Sequence, residues 1–477
     1  MIHSRVLIAA FALLELQFIF AAPTVNVTSA SIVSPSIISP SIVSSAVPLA
    51  SSSNLPSHSV PVDTSTAAES TPTAGYASDD PNDSLYNQFQ NEVPEAIRGS
   101  LGATVIGPQN IPLDRQSPDF LAPPSTDAGS VDNAKWPFSL SHNRLQTGGW
   151  ARQENGRSAM AGVNMRLEAG AIRELHWHAT AEWGYVIKPP PRAPLVTNLF
   201  NKGTTRITAV TPAGQNYEAN INPGDIWYFP AGIPHSIQAT NDTADGSEFL
   251  LVFDDGTFSE DDTFLLTDWL AHIPKEVLAK NFGADISAFD HIPAKELYIF
   301  PGTPPPPVNE DEVSDPQGHV STPFSLAWSQ VSPTPLAGGS VKIVDSTNFP
   351  ASLTIAAADV TVDVGGMREL HWHPTQAEWS YFISGQARVT IYAANGNART
   401  FNYQAGDVGY VPPSNAHYVE NIGNETLHFL EIFKTDQFQD ISLNQWLALT
   451  PPELVKAHLG IDDATVALFN KTKQTVV

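Results

Sequence analysis

The sequence predicts an all-β protein built from two tandem β-barrel or jelly-roll domains, each with a short helical appendage. Two observations indicate this architecture. First, the 477 residues include 30 glycines and 40 prolines, which suits a turn-rich β fold better than a helical bundle. Second, a long segment occurs twice, and in both copies short apolar runs are bounded by Gly, Pro and Asn, as expected of strands joined by tight turns.

The duplicated segment is the strongest architectural signal in the chain. Residues 173–178 read Arg-Glu-Leu-His-Trp-His and recur as residues 368–373, an offset of 195. Residues 223–230 contain Pro-Gly-Asp and end in Pro, and residues 405–412 match them with Ala-Gly-Asp and a final Pro. A repeat of this length predicts two domains of the same fold.

Each copy closes with a segment typical of helices. Trp, Leu and Val recur at three- and four-residue steps over residues 267–282 and again over residues 442–459, which is the spacing of one helix face. These segments are the predicted appendages. We place the first domain at residues 85–300 and the second at residues 301–477.

The N-terminal region has a different composition. Arg5 precedes an apolar run that is followed by Pro23, and residues 1–22 are therefore predicted to be a secretory signal peptide. Residues 23–84 are rich in Ser, Thr and Pro, which predicts a disordered stalk or pro-segment without a core. The protein is accordingly predicted to be secreted and extracellular.

Five Asn-x-Ser/Thr triplets are compatible with secretion, because this triplet is the acceptor for N-glycosylation. They begin at Asn26, Asn82, Asn241, Asn424 and Asn470. The sequence therefore predicts a glycoprotein.

Charge and cysteine content exclude several classes of protein. The 49 acidic side chains outnumber the 24 basic ones, for a net charge of −25, which argues against a nucleic-acid partner. There is no cysteine, so disulfides, thiolate zinc sites, iron–sulfur clusters and thiol nucleophiles are excluded. The N-terminal apolar run is too short and too interrupted to span a bilayer, and no membrane partner is expected.

The first copy carries an insertion relative to the second. Glu182 and His235 are 53 positions apart, whereas Glu378 and His417 are 39 apart. Removing residues 189–202 restores the match and places the insertion at a predicted hairpin tip, where insertions are best tolerated. The segment is either a genuine loop or an error in the gene model.

Histidine and glutamate recur at matching places in the two copies. Two histidines separated by one residue face the same side of a strand, and a closed barrel can bring a glutamate and a third histidine beside them. The matching sets are His176, His178, Glu182 and His235 in the first copy, and His371, His373, Glu378 and His417 in the second. Three imidazoles and a carboxylate suit an octahedral manganese or iron site with two open positions.

These motifs resemble those of the cupin superfamily, where His-x-His and Glu are followed by Pro-Gly-Asp and a further His. More narrowly, Arg-Glu-Leu-His-Trp-His with Ala-Glu-Trp in both copies, and Trp-Tyr-Phe-Pro-Ala-Gly-Ile-Pro-His-Ser-Ile-Gln at residues 227–238, resemble the bicupin oxalate decarboxylases of the secreted fungal type. The similarity runs from about residue 98 to residue 460. It implies two tandem cupin domains, each a double-stranded β-helix or jelly-roll.

The resemblance also implies an activity. It is the manganese-dependent decarboxylation of oxalate to formate and carbon dioxide, with two Mn²⁺ per chain, dioxygen as a co-substrate that is not consumed overall, and a trimeric or hexameric homo-oligomer. Two alternatives stay open: a germin-type oxalate oxidase that yields hydrogen peroxide and carbon dioxide, and a non-catalytic storage or sugar-binding bicupin. Intact ligand sets in both copies argue against the non-catalytic alternative.

An arginine precedes each histidine pair by three residues. A divalent metal with one carboxylate ligand retains a single positive charge, so Arg173 would complete the neutralisation of an oxalate dianion. Arg368 is its counterpart in the second copy. We expect both arginines to bind substrate, and Arg173 to be catalytic as well; the alternative is that they pair with nearby carboxylates.

Two glutamates outside the ligand sets are candidates for catalysis by the same resemblance. The first copy has three additional residues over residues 259–263, where the resembling enzymes have a mobile lid with a proton-donating glutamate, and Glu260 lies at that place. The alternative is a solvated acidic loop, and Asp261-Asp262 replaces the usual Asn-Ser. Glu431 matches a family glutamate near the second metal, and it is either catalytic or ion-paired to Arg368.

Overall fold

The computed structural model describes part of the chain. The described residues are 124–138, 141–154, 159–187, 203–311 and 313–477. The predicted signal peptide and stalk, the insertion at residues 189–202, and the triplets at Asn26 and Asn82 lie outside them. The predicted domain boundaries stay predictions.

The regular secondary structure of the described residues is mostly strand, with few helices, which confirms the predicted all-β class. In chain order, the strands up to residue 300 are β1 (Lys135–Pro137), β2 (His142–Gln146), β3 (Gly149–Glu154), β4 (Ala161–Leu167), β5 (Ile172–Trp177), β6 (Glu182–Val186), β7 (Thr205–Val210), β8 (Asn216–Ile221), β9 (Ile226–Phe229), β10 (His235–Ala239), β11 (Ser247–Phe253), β12 (Phe264–Leu265) and β13 (Ile299–Phe300). The later strands are β14 (Ser325–Leu326), β15 (Thr334–Leu336), β16 (Gly339–Val344), β17 (Ala356–Val362), β18 (Met367–Trp372), β19 (Glu378–Ser384), β20 (Gln386–Ala393), β21 (Asn397–Gln404), β22 (Asp407–Val411), β23 (Ala416–Asn421), β24 (Leu427–Phe433) and β25 (Ile441–Ser442).

These strands form two sheets in each copy. In the first copy the sheet orders are β14-β9-β6-β11-β4-β3-β2 and β12-β5-β10-β7-β8, with β13 also beside β5. In the second copy they are β1-β22-β19-β24-β17-β16-β15 and β21-β20-β23-β18-β25. Side chains alternate between the two faces of a strand, and in both copies apolar side chains and the histidines of the repeated motifs are buried.

The two copies exchange short strands. Strand β1 precedes the first copy but pairs with β22 of the second, with Trp136 opposite Val408. Strand β14 follows the first copy and pairs with β9, with Ser325 opposite Trp227. The ring of Phe138, next to β1, packs edge-on against that of Tyr381 at 5.8 Å. The copies therefore share an apolar core, and neither is packed independently of the other.

Each predicted helical appendage is two helices rather than one. The helices are α1 (Leu266–Ala271), α2 (Lys275–Phe282), α3 (Val308–Asp311), α4 (Leu443–Ala448), α5 (Pro452–Leu459) and α6 (Asp463–Val466). Pro274 lies between α1 and α2, and Pro451 lies between α4 and α5. Proline has no N–H to donate and its ring clashes with the preceding turn, so the break follows from the sequence.

Within the described part of the chain, no helix is both long and apolar enough to cross a membrane. The acceptor asparagines Asn241, Asn424 and Asn470 are all exposed.

Candidate active site

The first cluster forms where three strands of the first copy begin or end. His176 lies on β5 directly opposite His235, the first residue of β10. His178 follows β5 by one residue and faces the same side, and Glu182 begins β6. One ligand atom from each of the four residues lies within 4.8 Å of the others, and all four side chains are buried. The structure thus brings together the four residues that the sequence singled out.

The second cluster repeats this arrangement. His371 on β18 is opposite His417 on β23, and Glu378 begins β19. With His373, the four ligand atoms again lie within 4.8 Å of one another, and the side chains are buried. Both clusters arise from the same local rule, because alternate residues on a strand face one side and the cross-strand neighbour adds the third imidazole.

The six histidines of the two clusters are all oriented by backbone carbonyl groups. Each Nδ1 lies within hydrogen-bonding distance of a carbonyl oxygen: His176 to Glu174 at 2.5 Å, His178 to Thr180 at 2.7 Å, His235 to Ile233 at 2.8 Å, His371 to Glu369 at 2.6 Å, His373 to Gln439 at 2.8 Å and His417 to Asn415 at 3.0 Å. An Nδ1–H that donates to a carbonyl leaves the Nε2 lone pair free to bind a metal.

The donor atoms of both clusters fit a divalent cation. The Nε2 atoms of His235 and His371 are buried without a hydrogen-bond partner, which is costly unless another group occupies the centre. Burial, and then the nearby Arg173, hold the pKa of His176 well below its ordinary range, so this imidazole is neutral. Burial opposes ionisation of Glu182, but His235 and His178 outweigh it and lower its pKa. A neutral imidazole beside an ionised carboxylate is typical of a metal site.

A small cavity lies beside the first cluster. Its walls are apolar where Val163, Met165 and Leu251 face it, and polar where Arg173 and Glu260 face it. Its volume is about 10 Å³, close to the least that holds one water molecule. The cavity is therefore too small for oxalate as it stands, and oxalate can bind beside the cluster only if one of its walls moves.

The buried guanidinium of Arg173 is available to an anion. Its Nη1 donates to the carbonyl of Tyr298 at 3.3 Å, and its Cζ lies 3.9 Å from the centre of the Tyr298 ring. Neither contact neutralises its charge, and no carboxylate of the described residues forms an ion pair with it. The alternative that Arg173 is tied to a nearby carboxylate is not what the structure shows.

Glu260 lies in the turn that covers the cavity. The turn is a short 3-10 helix, Glu260–Asp262, and Ser259 caps it by accepting the N–H of Asp261. The side chain of Gln153, on β3, forms two hydrogen bonds with the turn. Its amide N–H donates to the carbonyl of Phe258 at 2.9 Å, and its oxygen accepts the N–H of Glu260 at 3.0 Å. The side chain of Glu260 is 11% exposed, so it is not a solvated loop residue.

Three further residues around Glu260 were not predicted from the sequence. The hydroxyl of Tyr298 donates to Glu260 Oε2 at 2.9 Å. On the other side, His142 Nε2 lies 3.2 Å and Arg144 Nη1 lies 3.8 Å from Glu260 Oε1. All three lie outside the repeated motifs, which is why sequence reasoning missed them.

A sequence signal for Tyr298 does exist in the repeat. Ile299 pairs with Arg173, and Val476 pairs with Arg368, so Tyr298 and Thr475 occupy equivalent positions. Both have positive φ angles, 56° and 57°. Extending the alignment of the two copies to their C-terminal segments would have identified this tyrosine as a feature of the first copy alone.

The arginine of the second cluster is neutralised by carboxylates. Arg368 is fully buried, its Nε lies 2.9 Å from Glu431, and its Nη2 lies 2.8 Å from Asp440. Asp440 also accepts from Lys473 at 2.5 Å. In the first copy, Leu251 occupies the position of Glu431. Leu251 lies on β11, which pairs with β4, and Glu431 lies on the equivalent strand β24, which pairs with β17. The ion-paired alternative for Arg368 and Glu431 therefore describes their arrangement, and an oxalate could reach Arg368 only by displacing both carboxylates.

Comparison with known proteins identifies the class. A protein-family model described as Cupin matches residues 151–288 and 332–467, one match in each copy. The chain belongs to the cupin family, and it is a bicupin because it contains the domain twice.

The curated relatives that match about 80% of this chain are named as oxalate decarboxylases. The chain is 52% identical over 393 residues to oxalate decarboxylase of Bacillus subtilis, covering 81% of this chain and 98% of that protein. It is 41% identical over 384 residues to a probable oxalate decarboxylase of Arthroderma benhamiae, covering 79% of this chain and 91% of that protein. The recognition of a bicupin related to oxalate decarboxylases is thereby confirmed.

Solved structures agree with these relatives. The structure of Bacillus subtilis oxalate decarboxylase at pH 4.6 superposes with a TM-score of 0.75 at 52% identity, covering 81% of this chain and 98% of that one. Another structure of the same bacterial enzyme, with a TM-score of 0.74, comes from work on its Mn(II) centres.

Proposed function

We propose that the protein decarboxylates oxalate to formate and carbon dioxide at the first cluster, with manganese bound and dioxygen as co-substrate. The observation that carries this proposal is the convergence of Arg173 and Glu260 on one cavity beside a complete ligand set. The homology to oxalate decarboxylases over most of the chain supports the same reaction.

The chain's own residues would perform three tasks. Arg173 binds a carboxylate of oxalate through a guanidinium that forms no ion pair with a carboxylate of the described residues. The apolar walls and the covering turn exclude water, which would otherwise protonate or hydrolyse reactive species. Glu260 gives its proton to the carbon that becomes formate. Manganese, held by three imidazoles and Glu182, would supply Lewis-acid and one-electron chemistry.

The second cluster is proposed to hold manganese without turning over oxalate. Glu431 is buried and bonded to Arg368, so it is a partner of that arginine rather than a proton donor. The segment that leads into β25 carries Asp440 in place of a long lid, and Asp440 points at Arg368. Glu431 and Asp440 therefore occupy the space around Arg368 in which a carboxylate of oxalate would otherwise bind.

The germin-type oxidase is the main competitor among activities. An oxidase shares the manganese site but has no lid proton donor. The position of Glu260, on the wall of the cavity and hydrogen-bonded to Tyr298, favours the decarboxylase. A storage or sugar-binding role is disfavoured because both ligand sets are complete.

Secretion, glycosylation and oligomerisation are further proposals. Exposure of Asn241, Asn424 and Asn470 supports glycosylation in an extracellular protein. Large apolar side chains on the outer faces, such as Trp269 and Trp446, both 54% exposed, support association of several copies, since exposed apolar patches often mark interfaces.

Product analysis tests the activity. The purified protein, loaded with manganese and assayed for metal content, is incubated with oxalate in air while formate, carbon dioxide and hydrogen peroxide are measured. We expect formate and carbon dioxide in equal amounts with little peroxide. Peroxide with two carbon dioxide molecules per oxalate would indicate the oxidase, and no reaction at full metal content would contradict any catalytic role.

A further inference from the structure

The exposed imidazole of His142 contacts the largely buried carboxylate of Glu260. The side chain of His142 is 70% exposed, whereas that of Glu260 is 11% exposed, and their Nε2 and Oε1 atoms are 3.2 Å apart. His142 begins β2 and is paired with Gln153 of β3. Since Gln153 also holds the covering turn through two hydrogen bonds, the same strand pair positions His142 and Glu260 together.

The proposed reaction requires a proton from outside in every turnover. Oxalate dianion and one proton yield formate and carbon dioxide, so a glutamic acid that protonates the formyl carbon is left as a carboxylate. The cavity has room for about one water, so few waters can lie beside Glu260 on that side. The side chain of Glu260 is only 11% exposed, so a neighbouring side chain that reaches solvent offers a direct route for the returning proton.

The neighbours of the Glu260 carboxylate differ in their ability to pass a proton. Burial raises the pKa of Tyr298 to about 12, and its hydroxyl faces the protein interior. Arg144 keeps its protons at any relevant pH and is paired with Glu296. Asp261 and Asp262 are exposed in the same turn, and neither contacts the carboxylate. Imidazole, in contrast, gains and loses a proton in mildly acidic to neutral water.

We infer that His142 is the relay through which Glu260 regains its proton from solvent. The inference rests on the proposed function. In the relay step the Nε2–H bond of the imidazolium breaks and an Oε1–H bond forms on Glu260. The neutral imidazole then takes a proton from hydronium or a buffer acid, and no electrons are transferred. His142 touches no substrate and acts only through Glu260.

His142→Gln separates the relay from a positioning role. Glutamine can still donate a hydrogen bond to Glu260 but cannot pass a proton at these pH values. The matched control is His272→Gln, because His272 is 74% exposed and its ion pair is with Asp268 rather than with Glu260. Each holoenzyme is assayed at low buffer concentration, and again with added imidazole as a diffusible proton donor.

For His142→Gln we expect kcat to fall about tenfold or more at low buffer, as for a lost proton-transfer group, with kcat/KM and manganese content nearly unchanged. At low oxalate the enzyme has time to recover its proton between substrates, which is why kcat/KM is spared. Imidazole should restore kcat and lower the fraction of peroxide among the products. The control should match the wild type throughout.

Two results would overturn the relay. One is an unchanged kcat for His142→Gln at low buffer. The other is an equal fall in kcat and kcat/KM that imidazole does not restore, which would make His142 a residue that only positions the turn. A wild-type protein that makes no formate would instead refute the proposed function, so the two failures are distinguishable.

Discussion

The two copies build the same cluster of three histidines and a glutamate but surround it with opposite arrangements of charge. In the first copy Arg173 forms no ion pair with a carboxylate in the part of the chain that the structure describes, and Leu251 faces the cavity. In the second copy Arg368 is held by Glu431 and Asp440. The difference teaches that a metal-binding set does not by itself define an active site. What distinguishes the sites is whether the nearby cation is available to an anionic substrate.

The largest expected effect comes from removing a ligand in either copy. His178→Ala should empty the first site and lower formate production by more than about 100-fold. Mutating a residue that only hydrogen-bonds a metal ligand already lowers metal affinity or activity by about 10–100-fold. His373→Ala should lower manganese from two ions per chain to one while formate production continues. Elemental analysis and product assays measure both. Loss of activity in His373→Ala with the first ion retained would show that turnover is not confined to the first copy.

Removing the proposed proton donor should change the products. Glu260→Ala is expected to lower formate production by ~10²–10⁴-fold, as for a lost general acid, while hydrogen peroxide rises and manganese content stays the same. Asp261→Asn is the control, because it alters charge in the same turn without touching the cavity. If Glu260→Ala retains its full formate yield without peroxide, the proton comes from another group.

One substitution can introduce into the first copy the carboxylate that pairs with the arginine in the second copy. Leu251→Glu places a carboxylate where Glu431 lies, next to the cavity that Arg173 lines. We expect it to pair with Arg173 and raise the KM for oxalate at least about tenfold, since a hydrogen bond to a charged group contributes roughly 1.5–3 kcal/mol. Leu251→Gln has the same shape without the charge and should raise KM less. Equal KM values for the two variants would contradict the charge argument.

The smallest expected effect is on stability, where a buried carboxyl group in each copy contributes with opposite pH dependence. Burial raises the pKa of Glu154, in the first copy, to about 7. Its proton is lost near pH 4.5 in the unfolded chain, so its contribution to stability is complete below pH 4.5 and is lost as pH rises to 7. In the second copy, burial of Asp359 is outweighed by His428 and Lys342, which lower its pKa to about 2. That contribution is present above about pH 4 and is lost as pH falls towards 2.

Thermal unfolding at pH 5 and pH 7 tests the Glu154 part of this comparison. Glu154→Gln should remove a destabilisation of about 2–3 kcal/mol that the wild type acquires between these pH values. The variant should therefore lose less in Tm on going to pH 7. Identical changes in Tm for both proteins would show that the carboxyl is not titrating in this range.

The sequence alone determined the fold class, the duplication and the eight residues of the two clusters. It could do so because each cluster depends on local rules: alternate residues of a strand share a face, and the repeat shows which distant histidine belongs to which pair. The positions of Pro274 and Pro451 would also have predicted the break in each helical appendage.

Only the tertiary structure decided which arginine is available and what surrounds Glu260. The contacts that settle these questions join residues far apart in sequence, such as Gln153 with Glu260, separated by 107 positions, and Arg368 with Asp440, separated by 72. No periodicity links such residues, because their contact depends on how whole sheets pack and close. The exchange of β1 and β14 between the copies has the same origin, since strand pairing at a sheet edge is set by the assembled fold.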